Sequence, residues 1–453
     1  MPWTLVYILD FIAILTFAVS YYRNCYRRGY RIDMWHFILL SACIIPNMLM
    51  LPFARNELNG VVLGQDYAAV MAVLPTVFLI TFVGYYSMLV GGGLWRLRTG
   101  IGIRRAVIPL LDIPPRCSRM LMSSRTLLVF QSAVCLCLQV SVLLVYFAHN
   151  GFGFDLRRYA SENPSLRPVL LLASNYSVVI ASHCLARYVD KKEKVLLGCT
   201  LLLSLGLVFF GARSSILNIY LTVFLCFLIR LRSKVNLFKL FGVAVVMVMV
   251  ILYLGGVRSG QYSLTEFFKS LVFLLLFGNT FSDLRDFSWV YAKWDHVFWA
   301  GKTYLAAFMA FVPRFASSFR DTWGLGVMTA TTVGFDPEVH PGLRPGIFGE
   351  GFFNFGMLGV IAVGLLLGIA GRRVDIDVKR TLSSRQPSMM RAYASTALST
   401  VVGSFALTAG FSGLYILVGI YFFSWICLQI GSLVGVREIV IKRGRGFIST
   451  PSS

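Results

Sequence analysis

The residues best placed to do chemistry are a few arginines, one carboxylate and one histidine, all in Gly- or Pro-rich surroundings. From Asp336 to Gly359 the chain reads DPEVHPGLRPGIFGEGFFNFGMLG. Its glycines and prolines specify a tight irregular path that brings His340, Arg344, Glu350 and Asn354 to the mouth of an apolar helix. A carboxylate there is a candidate general base, or else an acidic residue favoured by the dipole of the helix that begins nearby. His340 reads as a second candidate base or as an ordinary exposed histidine. Three more arginines stand apart: Arg213 in Gly-Ala-Arg-Ser-Ser, Arg258 in Val-Arg-Ser-Gly, and Arg314 after Pro313. A guanidinium placed by the fold grips phosphate through two parallel hydrogen bonds. An arginine at the end of a membrane span can also simply extend into the headgroups.

The elements that must position these residues are membrane helices. Hydrophobic residues make up 57% of the 453 and charged residues 14%, with a mean hydropathy of +0.73. A soluble domain sits nearer ~45–50% apolar with about a quarter charged. The composition also excludes intrinsic disorder. Crossing about 30 Å of hydrocarbon takes ~20 mostly apolar residues. Eleven stretches qualify: 3–22, 35–54, 67–91, 126–148, 169–189, 195–211, 215–230, 238–257, 354–371, 392–410 and 412–435. The first has no basic residues before its apolar run and reads as a span, not a cleaved signal peptide.

The expected organisation is eight helices over 1–257, a large outer loop over 258–353, and three helices with a cytoplasmic tail over 354–453. The loop contains apolar segments, 264–281 and 297–312, too short or interrupted to span comfortably. They are expected to be re-entrant or to lie in the interface, anchored by Trp289, Trp294 and Trp299.

A net charge of +22 suggests a nucleic-acid binder until it is placed along the chain. One alternating set of loops, 23–34, 95–125, 187–194, 230–239, 372–391 and the tail from Arg437, holds 29 of the 42 basic residues and 7 of the 20 acids. By the positive-inside rule this set is cytoplasmic, and the excess charge records topology, not an affinity for nucleic acid. The outer loop has eight basic and eight acidic residues, so anion binding there must come from individual side chains. The nine cysteines show neither a disulfide framework nor zinc spacing. No GxxxxGK[ST] loop or HExxH pair suggests a nucleotide motor or zinc protease. Gly91 to Gly93, and Gly364 with Gly368, read as helix-end and helix-packing residues. Asp10 and His183 are polar residues within spans, with no regular pattern to make them a proton relay.

On these residues the chain resembles the Wzy-type polymerases of bacterial oligosaccharide repeat units, the O-antigen polymerases. The resemblance rests on the order of four features: the Gly211 to Ser214 hairpin, Arg258-x-Gly260 after a span, Pro313-Arg314, and Gly349-Glu350-x-x-x-Asn354-Phe355-Gly356 leading into a helix. It implies an all-α polytopic protein of about eleven spans, GT-C-like, in the bacterial inner membrane with its large loop periplasmic. It further implies a glycosyltransferase needing neither metal nor other cofactor, which moves a growing glycan from undecaprenyl diphosphate to a new lipid-linked unit. Arg213, Arg258, Arg314, Arg344 and Asn354 would bind substrate, with Glu350 or His340 as base. A polysaccharide co-polymerase that sets chain length is the implied protein partner. Two alternatives stay open: an O-antigen ligase, which also carries an outer-loop histidine, and a lipid-linked oligosaccharide flippase or other transporter.

Overall fold

The computed structural model describes residues 2–56, 58–95, 101–151, 166–210, 213–234, 281–309 and 317–433 without a break, and isolated positions between them. Among the described residues there is helix and no strand. Seven helical segments are long and apolar enough to cross a membrane, so the chain is a multi-pass membrane protein. Of the eleven expected spans, seven are borne out among the described residues by length and composition. The helices Lys194–Phe209 and Ile216–Leu231 are apolar but short. Helix Met389–Ala406, rich in Ala, Ser and Thr, is not among the seven, and 238–257 lies outside the continuously described stretches.

Helices are numbered as follows: α1 Trp3–Asn24, α2 Met34–Leu39, α3 Tyr67–Leu94, α4 Ile101–Leu121, α5 Arg125–Asn150, α6 Leu166–Lys191, α7 Lys194–Phe209 and α8 Arg213–Leu231. The former outer loop supplies α9 Asp283–Lys293, α10 Lys302–Phe308, α11 Phe319–Trp323 and α12 Leu325–Val333. Finally come α13 Gly346–Leu382, α14 Met389–Ala406 and α15 Phe411–Leu433. The Arg-rich 95–125 segment, expected as a loop, is mostly helix α4. Leu110, Ile113, Pro114, Cys117 and Met120 recur at helical spacing and line one apolar groove.

Helices α3 and α13 pack backbone to backbone. A Cβ on Gly91 would stand 2.4 Å from the Leu365 carbonyl oxygen, and one on Gly368 would stand 2.2 Å from that of Met88. Gly91, Gly364 and Gly368 are therefore packing residues, as their spacing suggests.

Helix α13 is broken at Gly356, whose φ of 62° and ψ of −149° are open essentially to glycine alone. Residues 351 and 359 would lie about 12 Å apart in a straight helix. Here a Cβ on Gly359 would lie 2.1 Å from the Gly351 carbonyl oxygen. Residues 346–355 thus fold back as a short helical hairpin arm on residues 357–382. The expected helix start at 354 moves to 346, ahead of Glu350.

The tryptophans do not anchor in the interface. Trp289, Trp294 and Trp299 are buried, packing with Phe287, Phe352 and Phe353. Trp289 Nε1 also donates to Asp66 Oδ2 at 3.0 Å, which satisfies the ring's polar edge inside the fold.

Four loops of the basic set meet at one end of the bundle. Tyr30 bonds Ser383, Arg232 donates to Ser383, Asp190 accepts from Ser388, and Lys379 Nζ lies 2.6 Å from Asp33 Oδ2. Lys379 also pairs with Asp375 at 3.0 Å, and Asp375 with Arg372 at 3.2 Å. Burial alone would raise the Asp33 carboxyl, but His36 and Lys379 together hold it below the usual carboxylate range. Its contribution to stability is accordingly present above about pH 4 and lost as the pH falls further. Lys379→Met would leave Asp33 and Asp375 buried beside too little positive charge. A loss of ~3–5 kcal/mol is expected in thermal unfolding of the purified protein.

Candidate functional site

At the opposite end of α13 lies a cavity of about 430 Å³. Its polar lining is Asp286, Thr303, Arg320, His340, Arg344 and Thr408. These come from α9, α10, α11, the 340–344 segment and the turn between α14 and α15. Gly326 and Gly342 seat that segment on the start of α12: a Cβ on Gly342, which has a φ of +88°, would lie 2.2 Å from the Gly326 carbonyl oxygen. Thr329 Oγ1 accepts from the Leu343 amide at 2.9 Å and fixes the segment's height. The Gly and Pro content read from the sequence thus serves to present His340 and Arg344 to one cavity.

His340 packs against Phe335 with centroids 4.5 Å apart, and its Nδ1 accepts from the Gly342 amide at 3.1 Å. In the neutral ring that bond places the proton on Nε2, so His340 offers a donor. Asp286 is held on both oxygens: Oδ1 accepts from Arg285 at 2.9 and 3.0 Å, and Oδ2 accepts from Ser282 at 2.8 Å and from the Arg344 amide at 3.3 Å. Asp286 is paired with Arg285, and Arg320 lies 3.7 Å from Asp321, so Arg320 and Arg344 bring guanidinium groups to the lining without a large net charge.

Below Asp286, burial pushes the Asp283 carboxyl up to about 6, with Asp286 adding to the rise and Arg344 opposing it. The folded state therefore holds the Asp283 proton where the unfolded chain has lost it. Stability contributed in this way is full below about pH 4 and is lost as the pH climbs to about 6. Asp283→Asn should flatten the fall in thermal stability across that window. An unchanged pH profile would show that Asp283 does not titrate there.

Glu350 and Asn354 lie directly behind the cavity floor. Glu350 is fully buried and accepts three hydrogen bonds: from Thr303 Oγ1 at 3.0 Å, Thr408 Oγ1 at 2.6 Å and the Thr408 amide at 2.9 Å. Asn354 Nδ2 donates to Thr303 Oγ1 at 2.8 Å and to the Glu350 carbonyl at 2.9 Å. Its buried Oδ1 has no donor among the described residues. Thr303 and Thr408 face the cavity on one side and Glu350 on the other. A proton leaving a bound hydroxyl can reach the carboxylate through either threonine.

The structure therefore brings together four of the seven residues singled out in the sequence: His340, Arg344, Glu350 and Asn354. Arg258 and Arg314 lie outside the described residues, as does the side chain of Arg213, although its backbone opens α8. Sequence reasoning passed over Arg320, Asp286, Thr303 and Thr408. The one available signal was a threonine inside each of two apolar stretches.

Sharing α10 and the 408–411 turn with this cavity is an apolar groove of about 580 Å³ lined by Phe308, Phe405, Phe411, Tyr415, Phe422 and Trp425 together with α4. Tyr415 closes the seam by donating to the Phe308 carbonyl at 2.7 Å.

No family model matches the chain, and neither a curated protein nor a solved structure does.

Two other polar groups were weighed. His183 is a packing residue, bonded to Ser118 at 2.9 Å and to the Val179 carbonyl at 2.6 Å. Near the basic end, Ser20 Oγ lies 3.1 Å from His36 Nε2, and His36 Nδ1 lies 2.7 Å from Asp33 Oδ1, the order of a hydrolytic triad. Ser20 sits inside α1, however, where the backbone amides are engaged along the helix and none is left for an oxyanion. Asp33 caps α2 through the His36 amide at 2.8 Å, which gives the pair a structural role.

Proposed function

We propose that the chain is a membrane glycosyltransferase that polymerises undecaprenyl-diphosphate-linked oligosaccharide repeat units, as the Wzy-type resemblance implies. The observation that carries this reading is the cavity that sets Arg320, Arg344 and His340 opposite a buried carboxylate reached through two threonines, with an apolar groove alongside. A lipid-linked sugar diphosphate needs those three environments next to one another. The basic loops gather at the far end of α13, and the positive-inside rule then supports a reading in which the cavity faces outward; the proposed location is the periplasmic face of a bacterial inner membrane.

In the proposed reaction an acceptor hydroxyl attacks the anomeric carbon of the donor glycan. The carbon–oxygen bond to the diphosphate breaks, and the diphosphate leaves with the bonding electrons. Arg320 and Arg344 stabilise its growing charge in a low-dielectric site, and His340 Nε2 donates a further hydrogen bond. The hydroxyl proton passes through Thr303 or Thr408 to Glu350. Arg213, Arg258 and Arg314 remain proposed contacts to diphosphate or glycan, and Asn354 positions Thr303. The activated donor supplies the driving force, and holding two lipid-anchored substrates together supplies proximity. A co-polymerase that sets chain length remains the proposed protein partner.

Purified protein in detergent, given undecaprenyl-diphosphate-linked repeat units and no ion gradient, should form a ladder of longer glycans. Arg344→Ala with Arg320→Ala should reduce ladder formation by roughly 10²-fold or more, the scale for losing preorganised donors. Movement of the lipid-linked unit across a liposome membrane with no ladder would instead identify a transporter. His340 in the cavity also suits a ligase, and transfer to lipid A in place of a repeat unit would identify that activity.

A further inference from the structure

The basic end of α1 carries a second, larger cavity, of about 880 Å³, lined by Leu15, Thr16, Val19, Ser20, Arg23, Asn24, Arg27 and Arg28. Its volume falls within the range of about 300–1,000 Å³ typical of ligand sites. The composition changes along its length. Leu15 and Val19 are 49% and 45% exposed and form an apolar wall. Ser20 and Asn24 follow one turn on, and three arginines close the end. Helix α1 stops at Asn24, and a tight turn over Tyr26–Arg28, ended by left-handed Gly29 at φ 78°, folds Arg27 and Arg28 back toward Arg23. The lining contains no acid, and none of the three arginines has an ion-pair partner among the described residues.

Depth is marked by exposed Tyr22 and Tyr26, stacked 5.9 Å apart beside the arginines. Tyrosines of this kind sit at the headgroup level of a bilayer. The apolar wall is then at acyl-chain depth and the arginines at phosphate depth. The back wall is rigid, because Ser20 bonds His36, and His36 joins Asp33 and Lys379 in the buried ion network.

We propose that this cavity binds an anionic phospholipid, its phosphate held by Arg23, Arg27 and Arg28, its glycerol region by Ser20 and Asn24, and an acyl chain along Leu15 and Val19. Charge complementarity selects the occupant: three guanidiniums at the interface with no ion-pair partner among the described residues favour a headgroup with net negative charge over a zwitterionic one. The site is independent of the glycosyl-transfer reading and lies at the other end of the bundle.

The test is native mass spectrometry of the full-length protein in detergent, titrated with phosphatidylglycerol, phosphatidylcholine or inorganic phosphate. Phosphatidylglycerol should bind at least tenfold more tightly than phosphatidylcholine. In the combined variant Arg23→Gln, Arg27→Gln, Arg28→Gln its affinity should fall by roughly a hundredfold, on the scale expected for three basic residues at a charged surface. Val19→Trp fills the apolar wall and leaves the charge intact. It should weaken phosphatidylglycerol binding and leave any binding of inorganic phosphate unchanged. Should the triple variant fail to unfold cooperatively, Val19→Trp and Arg27→Gln alone still decide the matter. Equal affinity for the two lipids, or wild-type phosphatidylglycerol binding by these variants, would overturn the proposal. Competition by inorganic phosphate with no effect of Val19→Trp would do so as well, by showing that the occupant is free phosphate.

Discussion

Under the proposed reaction, Glu350→Gln should lower glycan extension by roughly 10²–10⁴-fold per folded molecule, the usual contribution of a general base. Glutamine keeps the volume and one acceptor oxygen, but its amide group would meet a donor from Thr303 or Thr408, all of which now point at the carboxylate. The mismatch should also cost about 1–3 kcal/mol of stability, so turnover must be normalised to folded protein. Thr408→Val separates the roles. It removes the 2.6 Å hydroxyl contact while the Thr408 amide still donates to Glu350, and it should slow extension while the carboxylate stays in place. Undiminished turnover per folded molecule in both variants would reduce Glu350 to a structural knot joining α10, α13 and the 408–410 turn.

Gly359→Val should be among the most damaging single substitutions for folding. The new Cβ would meet the Gly351 carbonyl oxygen at 2.1 Å, and backbone cannot swing aside as a side chain can. Overpacking of this kind costs ~1–3 kcal/mol when neighbours can adjust, and here the expected cost is at or above that upper figure. The control is Gly198→Ala in α7, where nothing lies within 4 Å of the added carbon. Removing a helical glycine there should stabilise by about 0.5–1 kcal/mol. Thermal unfolding of both variants in one detergent gives the comparison. Equal midpoints would mean that the hairpin at Gly356 does not bring Gly351 and Gly359 together.

The sequence signals that proved informative were those with a local cause. Glycines and prolines around His340 and Arg344 marked an irregular path, and the path leads into the cavity. Charge bias grouped the loops that meet near Lys379 because each loop carries its own arginines. Contacts made at long range left no such trace. Glu350 takes its hydrogen bonds from residues 47 and 58 positions away, and no local pattern ties a threonine in LTAG to it. The tryptophans were misplaced for a related reason: an amphipathic indole suits the interface and suits equally a core that offers Asp66 to its N–H. Apolar length alone does not separate a crossing helix from a short one packed within the protein, as the short apolar helices Lys194–Phe209 and Ile216–Leu231 illustrate. The Arg-rich 95–125 segment hid a helix because its apolar residues recur at helical intervals between the charges.

The glycine contact between α3 and α13 determines which walls of the cavity can move. Two helices whose backbones touch have no side-chain rotamers through which to slide, so this pair forms a fixed rail running from the ion network to the hairpin arm. The opposite wall is built from α10, α11 and α12, the longest of which is the 9-residue α12, and helices so short are marginal by themselves. Thr303 ties α10 to the arm through Glu350 and Asn354, so motion that opens the cavity belongs to α11 and α12. Amide hydrogen exchange should run fastest there and slowest along the glycine seam, so that the arm bearing Glu350 stays still while the wall bearing Arg320 moves.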